Sequence, residues 1–460
     1  MSPSPSAAEK IAYLKSLPAI RERSELVYAK AEANQLKHFD VDFDKLNDVA
    51  KFVVSLIKRD YDAKDIPTIP PHTRLRHFEI GSKDRIGQLL ESWKGRVDNM
   101  ETVRRLVDLV VVSVLLDAGA GDRWSFEVKP DNIQQKITRS YTRSEGLALA
   151  SLSMFKEGRF SSDIHRSHQV DADGLCNLPL ESLREGFQVD DQKNPLLGLE
   201  GRWEMLKRLG ESLKLHPEFF AGTESNAPLR PGNMVDYLFK EGSDRPRRKD
   251  KYVVRTESLF KVVIDGFAEV WPPSRTSFNG VSLGDVWPCD SLETPGAAAD
   301  STDHLVPFHK LSQWMTYSIM EPLETMLNIE WEHSNLLTGL PEYRNGGLLV
   351  DIGFMSLKPT EEARGLANYK HNALKPGQPA VEVVPTFEPS DPVIIEWRAM
   401  TVATLDRVAV EVRKQLALPN LTLAQVLQGG TWNAGRELAS VSRPNTKGPP
   451  IAILSDGTLF

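Results

Sequence analysis

Along much of the chain, apolar residues recur at three- and four-residue steps, the spacing of one face of an α-helix. Ile394, Trp397, Thr401, Leu405, Val408 and Val412 keep this step after Pro392 and predict one long amphipathic helix. Leu259, Val263, Phe267 and Val270 predict a second, stopped before Pro272-Pro273 because a proline disfavours helical geometry in the residue ahead of it. Leu199, Trp203, Leu206, Leu209 and Leu213 predict a third. Arg143 to Lys156 reads as a fourth, despite its interior Gly146. The most apolar run, Leu106 to Leu116, is interrupted by Asp108 and Ser113 and is half a membrane span, so it reads as a buried helix. Period-two alternation is scarce, and Val381 to Val384 is the best short strand. The expected class is mainly α with minor β.

Breaks fall at residues 221–232, 241–251 and 290–303, with a Pro-rich one at 375–392. None has the length or composition of a linker between independent domains, and no internal repeat is visible. The expectation is a disordered stretch over residues 1–9 and a single helical domain over 10–460, with two lobes flanking a cleft as the divided variant.

Bulk properties then narrow the function classes. The 460 residues are 40% hydrophobic and 26% charged, ordinary values for a soluble globular chain. A net charge of −7 argues against nucleic acid as the main partner, while leaving room for a local anion pocket. Cys176 and Cys289 are the only cysteines, which supports neither a disulfide framework nor a Cys-based zinc site and suits a reducing compartment. The start, Met1-Ser-Pro-Ser-Pro-Ser6, has no apolar core or basic leader, and Ser455–Phe460 is no address signal. A cytoplasmic protein with no membrane partner is expected; oligomeric state stays open.

Several constellations carry little chemistry. His165 and His168, with Asp163, Asp171 and Asp173 nearby, match no zinc spacing, so no metal is expected. Asp40, Asp42 and Asp44 alternate like a calcium loop, but Lys45 stands where that loop needs glycine. Ala118-Gly-Ala-Gly-Asp122 is glycine-rich without the Lys-Ser/Thr of a phosphate loop. No Gly-x-Ser-x-Gly elbow occurs, so covalent serine catalysis has no support. Ser140-Tyr-Thr-Arg-Ser-Glu145 clusters Tyr141, Arg143 and Glu145 at a helix start, where a capping box is the plainer reading. Asp285, in Gly284-Asp-Val-Trp-Pro288, reads as a turn residue capping backbone.

The densest segment is Thr338-Gly-Leu-Pro-Glu-Tyr-Arg-Asn-Gly-Gly-Leu-Leu-Val-Asp351. It sets Glu342, Tyr343, Arg344 and Asp351 among Gly339, Pro341, Gly346 and Gly347, which permit tight turns and close backbone approach. A carboxylate beside a guanidinium at such a turn suits a small, oxygen-rich anionic substrate; a solvated surface pair is the bland reading. Phe308-His-Lys-Leu-Ser-Gln313 puts Lys310 and Gln313 on one helical face, and Gly429-Gly-Thr-Trp-Asn433 joins glycines to Trp432 and Asn433.

Together these segments resemble the fungal and bacterial uracil catabolism protein four family over roughly residues 10–460. The likeness runs through Arg143-Ser-Glu-Gly146, Phe160-Ser-Ser-Asp163, Asn194 to Arg202, Gly284-Asp-Val-Trp287, Thr338 to Gly347, Glu396-Trp-Arg398 and Gly429-Gly-Thr-Trp432. That family is implied to act in a route turning uracil, after phosphoribosylation and ring opening, into urea and a three-carbon acid. Leu340-Pro-Glu-Tyr-Arg344 is also similar to a motif of the queuosine 5′-phosphate N-glycosylase family, placing Glu342 at that family's catalytic aspartate. Phe308 to Gln313, Glu396 to Arg398 and Trp432-Asn433 follow the same order there, with Asn433 replacing an acid. The second likeness implies a helical architecture of the DNA-glycosylase kind and cleavage of an N-ribosidic bond, with no cofactor.

The expected substrate is a small ribonucleotide-type molecule, ribosylurea or its 5′-phosphate. Glu342 would be the catalytic carboxylate, with Tyr343 and Arg344 holding it or the ribose. Lys310, Arg139 or Arg143 would neutralise a phosphate, Trp432 and Asn433 would line the ureide end, and Gln313 and Arg398 would bind substrate. A ureide amidohydrolase and a non-catalytic helical or nucleotide-binding partner of the pathway remain open.

Overall fold

The longest helix among the described residues, Pro392–Leu416, forms where the apolar step predicts it. Asp391 caps its start by accepting the Val393 amide, Pro392 takes the first position, and Ala417 at φ 55° ends it. Val393, Ile395, Trp397, Met400, Leu405, Val408 and Val412 are buried. Against it pack the helices Leu17–Glu32 and Leu46–Asp60. In this computed structural model residues 6–121, 123–129, 138–224, 226–242, 247–248, 250–272, 274–298, 300–372 and 382–454 are described.

The chain divides into two units. The first comprises Met1–His72, Pro273–Gln313 and Asn335–Leu454 and is built round the long helix. The second comprises Thr73–Pro272, Trp314–Ser334 and Ser455–Phe460. Its core includes the helix Asn99–Leu115, whose Val110, Val111 and Val112 are wholly buried. Both units are mainly α; every sheet among the described residues has two strands. In the first unit Phe39–Val41 runs antiparallel to Met355–Leu357, with Asp40 opposite Ser356. No described helix is long and apolar enough to cross a membrane.

Several local expectations shift. Residues 7–9 are helical, since Ala7–Leu14 is a helix closed by a Ser6–Glu9 capping box. The Leu259 helix ends at Gly266, and a 3-10 turn, Ala268–Val270, carries the last apolar position. Val381 lies outside the described residues, and the strand nearby is Thr386–Phe387, parallel to Ala452–Ile453. Thr142 stands at the start of Arg143–Lys156 without a side-chain cap bond, so the capping box there does not form. Gly146 is accounted for by space: a Cβ would lie 2.5 Å from the Tyr141 carbonyl.

The described part of the glycine-rich loop has the wrong polarity for phosphate. Buried Arg202 donates to the carbonyls of Leu116, Ala118 and Gly119. These carbonyls are taken up by the guanidinium of Arg202.

Candidate functional site

Lys310, Glu342, Trp397 and Trp432 all belong to the first unit. Glu342 is the N-cap of the helix Tyr343–Asp351, in extended geometry with φ −115° and ψ 164°. Its Oε2 accepts the Arg344 amide at 2.7 Å and its Oε1 the Asn345 amide at 2.6 Å. Both oxygens are thereby fixed, and the helix end favours negative charge on them. Burial raises the Glu342 pKa; the two amides and the charges of Arg344 and Lys310 offset part of that rise, and the net direction is upward. The Lys310 ammonium is thus near enough to act on a carboxylate 32 positions later, as Glu342 and Lys310 are numbered.

Two neighbouring helices hold this carboxylate helix at close range. A Cβ on Gly435 would sit 2.1 Å from the Arg344 carbonyl, so the helix Trp432–Ser442 meets it backbone to backbone. A Cβ on Gly346 would lie 2.8 Å from the Trp397 indole, whose Nε1 donates to the Gly346 carbonyl at 3.1 Å. At the far end Asp351 is clamped by Arg443 at 2.5 and 3.0 Å, so its part is structural.

Trp432 forms a shared wall. The Arg344 guanidinium lies 5.3 Å from its ring centre and that of Arg436 5.6 Å. His72 packs its ring against the indole at 5.7 Å, with Nδ1 2.8 Å from Gln428 Oε1. Arg344 is also 5.3 Å from the Tyr343 ring. Leu427–Thr431, just before Trp432, is a π-helical turn, a distortion frequent at functional sites. Asn433 follows Trp432 and is half-buried.

The structure therefore gathers Glu342, Tyr343, Arg344, Lys310 and Trp432. Gln313 and Arg398 have other work. Gln313 is fully buried and donates to Phe308 O and Thr338 Oγ1, while its Oε1 accepts the Thr338 amide at 2.8 Å. It ties the turn before Glu342 to the Lys310 helix. Arg398, 3% exposed, donates to Asp285 Oδ1 at 2.9 Å and Oδ2 at 2.8 Å. Both side chains bond protein groups. Arg139 and Arg143 belong to the second unit, Arg139 exposed on the strand Arg139–Tyr141 and Arg143 at φ 53° opening its helix.

A family model described as "Protein of unknown function (DUF1688)" matches residues 13–460. The chain belongs to this family. It is similar to "Uracil catabolism protein 4" of Lachancea kluyveri, with 39% identity over 454 residues, 98% of this chain and 99% of that one. It is also similar to "Protein urg3" of Schizosaccharomyces pombe, with 40% identity over 458 residues, 99% of this chain and 100% of the other. The resemblance drawn from the motifs is thus a full-length family membership.

Sequence reasoning missed two features of this family member. One is His72, isolated in a Pro-rich turn. The other is a group formed by His38, Asp290 and Glu396, with potential ligand atoms within 4.8 Å of one another. Most of their polar atoms already bond protein groups. Glu396 accepts the amides of Lys37, His38 and Phe39 at 3.0 Å and the Ser291 hydroxyl. His38 lies 3.1 Å from both Asp290 oxygens and 3.4 Å from Glu361. Burial lowers the His38 pKa, but Asp290, Glu396 and Glu361 outweigh it and the net shift is upward. In the second unit, the ring of His168 accepts from Trp93 at 2.7 Å and faces the Lys156 carbonyl at 3.2 Å, which occupies both nitrogens.

Proposed function

We propose that this chain acts in uracil catabolism and hydrolyses the N-ribosidic bond of a ring-opened uracil nucleotide, ribosylurea or its 5′-phosphate, releasing urea. The observation that carries this reading is Glu342: a carboxylate pinned by two backbone amides, under the charge of Lys310 and of Arg344, whose guanidinium lies in turn against the Trp432 ring. The names of the family relatives support the pathway.

In the proposed step the bond between C1′ and the ureide nitrogen breaks, with its electron pair leaving on nitrogen. The sugar becomes oxocarbenium-like, and a fixed carboxylate stabilises the positive charge without reorganising. A water oxygen bonds to C1′; one water proton ends on the departing nitrogen and the other on the new hydroxyl. Glu342 orients that water, Trp432 and Asn433 line the planar ureide, and Tyr343 and Arg344 hold the ribose. Lys310 balances negative charge near Glu342.

Purified protein given ribosylurea and its 5′-phosphate should release urea together with ribose or ribose 5-phosphate. Ammonia as the co-product would instead favour cleavage of the ureido group. No turnover of either compound would favour the binding-partner reading.

A further inference from the structure

Lys310 opens the helix Lys310–Leu327, but the residue ahead of it is unsuited to capping. His309 sits at φ 44°, and its ring is turned away to the Leu14 carbonyl, 2.8 Å from Nε2. The cap comes from elsewhere in the chain. Asp285 Oδ2 accepts the Lys310 amide at 2.9 Å, and the Asp285 carbonyl accepts the amides of Phe308 and His309. Three consecutive amides therefore converge on one aspartate.

That aspartate is itself immobilised. Arg398 meets each of its carboxylate oxygens, and the Trp287 indole donates to Oδ1 at 2.7 Å. Arg398 also lies 4.1 Å from the Phe308 ring centre. The residue before Arg398 is Trp397, which holds the Gly346 carbonyl of the Glu342 helix. One turn of the long helix thus takes hold of both halves of the candidate site.

The geometry points to Asp285 as a positioning residue that, clamped by Arg398, fixes Lys310 against Glu342. As a role in catalysis this rests on Glu342 being the reacting carboxylate; as a statement about charge it does not. Arg344 faces Glu342 from its own helix and Lys310 from the Lys310–Leu327 helix, while Arg436 lies across Trp432. Arg398 and, more weakly, the lowered-pKa His309 interact electrostatically with Asp285.

The test is a mutant cycle read on the titration of Glu342, followed by carbon-13 NMR of labelled glutamate and assigned by the signal lost in Glu342→Gln. Removing both buried charges together, as Asp285→Asn with Arg398→Gln, avoids leaving one unpaired. Lys310→Met should move the Glu342 midpoint to higher pH, because its ammonium lowers it. The Asp285/Arg398 double variant should move it the same way, and adding Lys310→Met should move it little further. In turnover the double variant should lose on the order of 10²-fold in kcat with a smaller change in KM, the cost of a misplaced group.

A folded double variant in which Glu342 titrates as in the wild type would overturn the proposal, as would fully additive shifts. If the double variant does not fold, Arg398→Lys takes its place, since lysine keeps the charge but not the two-pronged grip. The same shift is then expected, and its absence is equally fatal. Because the titration needs no substrate, an inert wild-type enzyme with an intact cycle would sink the hydrolase reading and leave the positioning role standing.

Discussion

Each unit buries an aspartate against an arginine, and the two pairs behave in opposite ways. In the first, Arg398 gives one N–H to each oxygen of Asp285. Burial would raise the Asp285 pKa, but Arg398, the Trp287 indole and the Lys310 amide outweigh it and hold the carboxyl far below its ordinary range. In the second, Arg230 sends both its Nε and Nη2 bonds to the single oxygen Oδ2 of Asp108, and its Nη1 serves Glu101 at 3.0 Å. Burial dominates there: Arg230 and the amides of Val170 and Gly232 offset only part of it, and Asp108 is pushed up to about 6. The same residue types thus make a two-pronged pair beside the candidate site and, in the other unit, one whose guanidinium is shared with Glu101. Pairing geometry, not burial alone, sets the direction in which a buried carboxylate's pKa moves.

Removing the aspartates should separate the two most strongly. Asp285→Ala strands Arg398 in the interior and should cost about 3–5 kcal/mol in denaturant unfolding. Asp108→Ala leaves Arg230 with Glu101 but orphans two buried amides, so a smaller loss of about 2 kcal/mol is expected. Equal losses would break the comparison.

Acid sharpens it further. Asp108 binds its proton more tightly when folded, so its contribution to stability rises as pH falls through 6. Between pH 7 and 5 the wild type should gain about 1 kcal/mol over Asp108→Asn. Asp285 has the opposite sign: its stabilisation is present above its unfolded pKa and is lost as the pH falls below it. A wild-type curve parallel to that of Asp108→Asn would contradict the assignment.

Much of the helical scaffold was legible because periodicity is local. The step from Ile394 to Val412 predicts a real helix, and Pro392 marks its start. The strands were not legible, since pairs such as Thr386–Phe387 with Ala452–Ile453 are too short to alternate. Glu342 stood out because glycine, proline and charge crowd its segment. Its partners were harder. Asp285 reads correctly as a capping residue, but the helix it caps begins at Lys310, and no turn rule reaches that far. For Arg398 and Gln313 the sequence shows polarity, and the structure adds burial and their protein partners. Nothing in Gly429-Gly430 announces the π-turn at Leu427–Thr431; in the structure Ile69 and Val53 fill the space where their side chains would be.

The central claim is that Glu342 is the reacting carboxylate of an N-ribosidic hydrolase. The most direct measurement is urea released from ribosylurea and its 5′-phosphate by wild type and Glu342→Gln at matched fold, checked by circular dichroism. The wild type should release urea with an acid limb above the ordinary glutamate range, since the pKa of Glu342 is raised. Glu342→Gln keeps an oxygen to accept one capping amide but loses the charge, and should fall by roughly 10²–10³-fold or more. Wild-type rates from the folded variant would contradict the claim.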